Sequence, residues 1–216
     1  MITSVNNHVL LPHPANWGDS PPTSQRVWQT EIVAALTGAE QRQALRAVSR
    51  RQLTFTVTAR TLPERARLEA RVEVATKSGL ACAPLHGRAC VLAQNANGNS
   101  LTLNPAVAWN WQAGDYAFLM DDDQTFDALP VAVVNGLTLD FGLGTLNFNW
   151  PQGRLVWPLI FGKFSADKAN ALDGFLSEQK LTIAELVGAR SVPLGVIPAS
   201  VPGIGTTLIG STFIVQ

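Results

Sequence analysis

Gln52–Arg60 reads QLTFTVTAR, and Thr61–Ala75 follows as TLPERARLEARVEVA. Leu53, Phe55, Val57 and Ala59 alternate with Thr54, Thr56 and Thr58, the two-residue period of a half-buried strand. At Thr61 the period changes. Thr61 and Glu64 have capping-box spacing around Pro63, and Leu68, Val72 and Ala75 then form a stripe at i, i+4, i+7. Lys77-Ser78-Gly79 stops the helix. A strand that hands over directly to a helix places both in one layered unit.

C-terminal to this pair the signal is β. From Cys90 onward, short apolar runs alternate with turn signals at Asn95–Asn99, Asn104-Pro105, Ala113-Gly114-Asp115, Asp121–Asp123, Asn135-Gly136, Gly142–Gly144 and Pro151-Gln152-Gly153. Turns at such intervals predict a sandwich or barrel. Asn135-Gly136 has the composition of a two-residue hairpin turn. Ser165–Glu178 reads as a short helix or an irregular crossing, and Lys180–Val187 as a closing strand. N-terminal to the pair, Gln29–Leu36 reads as a short helix or a strand turning at Gly38. Glu40–Ser49 has helix formers with Ala44, Leu45 and Val48 at turn spacing.

The expected fold is mainly β with one or two short helices (α+β): an antiparallel β-sandwich or barrel with extended N- and C-terminal arms. Its expected parts are an arm over residues 1–25, a basic strand–helix segment over 26–80, a sandwich or barrel over 81–190 and an apolar arm over 191–216. Pro12, Pro14, Pro21 and Pro22 mark the first arm, with Trp17 as its anchor. The second has no charged residue after Arg190, while Pro193, Pro198, Pro202 and its glycines argue against a membrane helix. An uncharged tail of this kind is expected to lie against this subunit or a neighbour. A strand at Thr206–Val215 would carry Ile209, Phe213 and Val215 on one face.

In 216 residues, 46% are hydrophobic and only 15% charged, against a usual charged share of about 25%. Neighbouring subunits can cover so neutral a surface. The net charge of zero hides an asymmetry. Residues 26–90 hold 11 Lys/Arg against 5 Asp/Glu, net +6, and residues 91–216 hold 5 against 10, net −5, with Asp19 supplying the rest. Head-to-tail attraction between copies follows. The arginines are spread through segments that read as structured, so nucleic acid is not an expected partner. The polar start lacks a secretory pattern, so synthesis in a reducing cytoplasm and free thiols are expected.

Candidate chemistry is sparse. Cys82, His86 and Cys90 offer three soft ligands where zinc usually takes four, and plain thiols are the expectation. Asp121, Asp122, Asp123 and Asp127 lack the Gly and distal Glu of a calcium loop and read as a solvated turn. Gly203–Gly210 lacks the lysine and spacing of a phosphate loop. No catalytic, metal or cofactor-binding residue is assigned. Trp109 and Trp111, two apart on an alternating strand, could stack sugars; they are more often core or interface filling.

The segment Trp28–Thr54 reads WQTEIVAALTGAEQRQALRAVSRRQLT. Its core TGAEQRQALRAVSRR resembles a pattern of phage tail-tip and minor tail proteins: small-Gly-x-Glu-x-Arg, then Ala-Leu-Arg, then a basic pair before the first long strand. Ser49 stands where that family usually has proline. Trp150–Pro158 (WPQGRLVWP) resembles the family's Trp-x-x-Gly-x-x-x-x-Pro stretch. The resemblance spans residues 11–190. It implies a structural subunit of the distal-tail or baseplate-adaptor kind, located in the virion tail. Such a subunit forms a homo-oligomeric ring and meets tube, hub and fibre proteins, with no membrane anchor. On a helix, Arg42 and Arg46 would stack at i, i+4. With Arg50 and Arg51 they would offer forks to an acidic patch or pair internally with Glu64, Glu69 or Glu73. Arg42, Arg46, Arg50, Arg51, Trp109, Trp111, Ile209, Phe213 and Val215 are thus the candidate assembly contacts. A carbohydrate-binding module using exposed tryptophans is the alternative.

Overall fold

The computed structural model describes residues 3–18, 20–27, 30–34, 40–44, 50–104, 109–167, 170–173 and 176–186, with 30–34, 40–44, 170–173 and 176 described by backbone alone. The elements begin with β1 (Ser4–Val5), β2 (His8–Leu10), β3 (Thr23–Val27), β4 (Thr30–Ala34), β5 (Glu40–Ala44) and β6 (Arg50–Ala59). Helix α1 (Leu62–Ser78), β7 (Leu80–Pro84), β8 (Cys90–Val91), β9 (Ser100–Thr102), β10 (Tyr116–Met120) and β11 (Phe126–Pro130) follow. The remaining strands are β12 (Val133–Asn135), β13 (Thr138–Asp140), β14 (Leu155–Ala166), β15 (Asn170–Asp173) and β16 (Leu176–Glu185). The fold is mainly β with one helix among the described residues.

The strand–helix pair forms as its sequence dictates. Thr61 accepts from the Glu64 backbone, Glu64 reaches back to the Thr61 N–H, and Gly79 ends the helix at φ 69°. That left-handed conformation suits glycine, which has no Cβ to clash. Leu68, Val72 and Ala75 sink onto Leu53, Phe55, Val57, Ala81, Ala83, Ile160, Leu181 and Ile183.

The main sheet runs β1-β2-β7-β14-β16-β6-β3. Strand β6 registers along β16 from Ala59↔Ser177 to Gln52↔Ala184, so segments 26–80 and 81–190 share one sheet and one core. Strand β14 is the spine. Its first residues pair with β8 and β10, and its later ones with β7 and β16. At Gly162, flanked by Ala81 and Glu185, a Cβ would run into the Ala184 carbonyl, so only glycine admits β16 this closely. A second core, under β8–β13, gathers Leu92, Leu101, Leu103, Trp111, Leu119, Leu139, Phe141 and Trp150. A third, on the sheet face away from the helix, holds Leu10, Cys82, Phe118, Trp157 and Phe161.

Several expectations require correction. Within the expected extended N-terminal arm, residues 4–10 form a docked hairpin. Asn6 and Asn7 take positive φ (49° and 62°), the signature of a tight hairpin turn, and β1–β2 docks with β2 parallel to β7. This makes the sheet mixed rather than antiparallel throughout. Leu10 and Leu11 are buried, whereas Trp17, the expected anchor, is 58% exposed. Glu40–Ala44 is strand, not helix, and pairs with Thr30–Ala34, the strand alternative for that stretch. Local helix propensity yields there to cross-strand pairing. The Ser165–Glu178 stretch is neither helix nor irregular crossing: β15 and β16 form a hairpin with a register shift. In the β12–β13 hairpin Asn135 pairs with Thr138, so the two-residue loop is Gly136-Leu137, one residue later than Asn135-Gly136. Gly136 has φ 59° and takes the loop position that needs a positive angle.

Candidate assembly face and the buried polar groups

Strand β3 forms one edge of the main sheet. It registers with β6 from Thr23↔Thr54 to Val27↔Arg50, and every one of its five residues is exposed. Among the described strands it pairs with β6 alone. Register places Arg26 opposite Arg51 and Val27 opposite Arg50, so the sequence-predicted basic pair lies on β6, one strand in from this open edge. The Arg51 backbone donates to Glu185, and its guanidinium lies 4.9 Å over the Trp109 ring. Trp109 donates in turn to Asp115 at 3.1 Å. Arg51 and Trp109 are therefore brought together, while Arg50, its neighbour on β6, points to the opposite face of the sheet.

Arg42 belongs to β5, opposite Ile32, so a helical stack on Arg46 does not form. Arg46, Ile209, Phe213, Val215 and the segments 187–216 and 203–210 lie outside the described residues. Trp111 does not belong to an assembly face. It is buried in the second core at 7% exposure and donates to the Cys90 sulfur. Trp109 and Trp111 lie on an irregular stretch instead of an alternating strand, and they present no shared platform for a sugar. The proposed internal partners of the arginines are engaged elsewhere: Glu64 caps the helix, Glu69 meets Arg65 and Glu73 meets Lys77.

Cys82, His86 and Cys90 face different surroundings. Cys82 lies in the third core and Cys90 in the second. His86 packs edge-on against Phe55 at 5.3 Å. Burial pushes the Cys82 thiol up and the His86 imidazole down to about 4. Both cysteines are free thiols with no exposed surface.

Of the aspartates in the 121–127 stretch, Asp121 and Asp122 lie exposed on the turn, as a solvated turn requires, whereas Asp123 and Asp127 do not. Asp121 meets Arg154 at 2.6 Å, and Asp122 accepts from the Gln124 and Thr125 backbones. Asp123 is buried. It takes Arg67 as a two-pronged pair at 2.6 and 3.0 Å and Arg71 at 3.2 Å. Arg71 also reaches the Asp123 carbonyl at 2.7 Å and the His13 ring at 3.1 Å. Burial works to raise the Asp123 carboxyl, but the hydrogen bond and charge of Arg67 more than offset it and hold it below its ordinary value. Burial, then the Arg71 charge, depresses His13 to about 4. Asp127 is also buried and accepts from the Asn147 and Phe148 backbones, Asn147 Nδ2 and Trp150 Nε1.

A groove of about 730 Å³ opens beside this network, with Trp17, Thr58, Glu64 and Asp122 among its walls. Glu64, Asp121, Asp122 and Asp123 each have the partner given above, so the groove holds no pair of uncommitted carboxylates set for acid–base work. Two features escaped sequence reasoning. TSQRV at Thr23–Val27 has no apolar alternation to announce a strand. The Arg71–Asp123 contact spans 52 positions, yet one signal existed. Arg71 falls within the stripe of Leu68, Val72 and Ala75, and an arginine on a buried face demands a carboxylate.

No protein-family model matches the chain, and no curated protein matches it either.

Proposed function

We propose that this chain is a structural, non-catalytic subunit of a tailed-phage tail. In this reading it forms a homo-oligomeric ring of the tail-tip, distal-tail or adaptor kind and links the tail tube to the adhesion apparatus. The observation that carries the assembly part is the open edge of β3. A strand whose residues are all exposed and whose outer hydrogen-bonding edge has no described partner is a template for another chain, and monomeric proteins normally blunt such edges. The low charged fraction and the opposed charge of the two halves support the same reading. Placement in a phage tail rests on the resemblance of the TGAEQRQALRAVSRR and WPQGRLVWP segments.

Two measurements test it. Negative-stain electron microscopy of the purified protein is expected to show closed rings, and gold-labelled antibody is expected to decorate one position along the virion tail. A monomer across the micromolar range, or label absent from intact tails, overturns the proposal.

A further inference from the structure

The outer edge of β3 is the feature of the described surface that most plainly lacks an occupant, and the chain contains a segment suited to it. Added strands are recognised through main-chain hydrogen bonds, with alternate side chains adding specificity. Thr206–Val215 reads TTLIGSTFIV: no charge, no proline, and several β-branched or aromatic residues. In an extended conformation Thr207, Ile209, Ser211, Phe213 and Val215 share one face. Thr23, Ser24, Gln25, Arg26 and Val27 present no carboxylate, so an uncharged segment meets no repulsion along the edge.

The described chain ends close by. Ala184 pairs with Gln52, which pairs with Gln25, and Glu185 accepts from the Arg51 backbone opposite Arg26. The C-terminal segment thus departs level with the Arg26 end of β3. Reaching the outer edge of its own β3 means passing three strand spacings, roughly 14 Å at ~4.8 Å each. Nineteen residues, 187–205, separate the described end from Thr206, and Pro193, Pro198 and Pro202 lie among them. A proline-rich connection favours extension at about 3.1 Å per residue, which allows roughly 60 Å. That far exceeds what its own edge requires. It is also long enough to span the roughly 40 Å between centres of touching subunits, given a radius of gyration of about 17 Å for a chain of this length.

We propose that the edge of β3 receives the Thr206–Val215 segment of a second copy as an added strand. The inference rests on the assembly reading above and supplies its contact. It makes the interface heterologous, with the tail of one copy on the edge of the next, and such a contact closes into a ring where the rotation permits.

Cysteine pairing tests this in the full-length chain, because Cys82 and Cys90 are fully buried and leave little background. Single cysteines placed in turn at Thr23, Ser24, Gln25 and Arg26 would be co-expressed with a size-tagged Ser211→Cys chain and oxidised mildly. The expected result is a disulfide-linked pair of one tagged and one untagged chain for at least one β3 position. Deletion of residues 191–216 is expected to reduce the assembly to monomers with an unchanged circular-dichroism spectrum. Linkage found only within one chain, in a variant carrying both cysteines, overturns the proposal, as does absence of linkage at all four positions. Rings that form without any linkage would sink this contact and leave the proposed function standing. Linkage between copies, with no label on virion tails, would do the reverse.

Discussion

Asp123 and Asp127 are four residues apart, both buried, and held in opposite ways. Asp123, at the helix-covered half of the molecule, is matched by charge: Arg67 and Arg71 from α1 close on it, and His13 packs against Arg71. Asp127, at the half built from short strands, is matched by neutral dipoles: two backbone N–H groups, the Asn147 amide and the Trp150 indole. Each secures segments far apart in sequence. Asp123 ties the β10–β11 turn to the helix and, through Arg71, to the N-terminal segment. Asp127 ties β11 to the 147–150 loop. Charge matching fixes a carboxylate by its charge, whereas dipole matching fixes it by shape and hydrogen-bonding capacity. Substitution by asparagine, which removes charge and keeps shape, separates the two.

The largest effect is expected at Asp123→Asn. Arg71 is buried, and losing its counter-charge leaves a cation with no route to solvent. Breaking a buried pair from one side costs about 3–5 kcal/mol. Urea denaturation should show a loss of that order, and hydrogen exchange should rise first in α1 and around His13. A loss below about 1 kcal/mol would mean that the two arginines find water, and the contrast with Asp127 would collapse.

Acid should reveal the same asymmetry on a smaller scale. His13 and His86 both have imidazoles lowered to about 4 by burial, and both border the helix-covered core. In the unfolded chain each binds a proton near pH 6.5, while the folded chain does not until about pH 4. Folding therefore loses stability as pH falls between those values. At pH 5 the loss is about 2 kcal/mol per ring, taking about 1.4 kcal/mol per pKa unit. Asp123, held low by Arg67, begins to lose its own contribution below the ordinary aspartate range. Melting temperature measured from pH 7.5 to 4.5 should fall across this window, and His13→Gln should flatten the fall. A flat profile in the parent protein would show that neither ring is excluded from water in solution.

What could be read in the sequence follows the range of the interactions involved. The β6–α1 unit was legible because period, capping box and stop signal all act within a few residues, and the turns before β10, β11 and β14 were legible for the same reason. The β4–β5 pair was not, since Glu40–Ala44 has helix-forming residues and becomes strand only by pairing across to Thr30–Ala34. The N-terminal hairpin was obscured by the prolines that follow it at Pro12, Pro14, Pro21 and Pro22, although its turn is a plain Asn-Asn step. Of the candidate contacts, the Arg50–Arg51 pair could be tied to the start of a strand, but its place one strand in from an open edge depends on β3, whose polar sequence carries no pattern. Trp111 could not be distinguished from Trp109 by spacing. The Cys90 sulfur that receives the Trp111 indole lies 21 positions away.

The smallest effect is expected at Asp127→Asn, and it tests the comparison most sharply. Asn offers one oxygen and one amino group where Asp offers two oxygens. The oxygen can keep the Trp150 indole and the Phe148 backbone at the Oδ2 position. The amino group then faces Asn147, whose side-chain amide can turn its own oxygen inward. No charge is stranded, because no cation is paired with Asp127 among the described residues. The remaining cost is the Asn147 backbone bond, which loses one of its two acceptors. A single neutral hydrogen bond contributes about 0.5–1.5 kcal/mol, so the loss should be about 1 kcal/mol. Asp127→Ala, by contrast, leaves the buried Trp150 N–H with no partner and should cost about 1–3 kcal/mol. Measured together by urea denaturation, the two variants should differ at Asp127, whereas asparagine and alanine at Asp123 should be almost equally damaging. If Asp127→Asn proved as costly as Asp123→Asn, charge would matter equally at both sites, and the distinction between charge-matched and dipole-matched halves would fail.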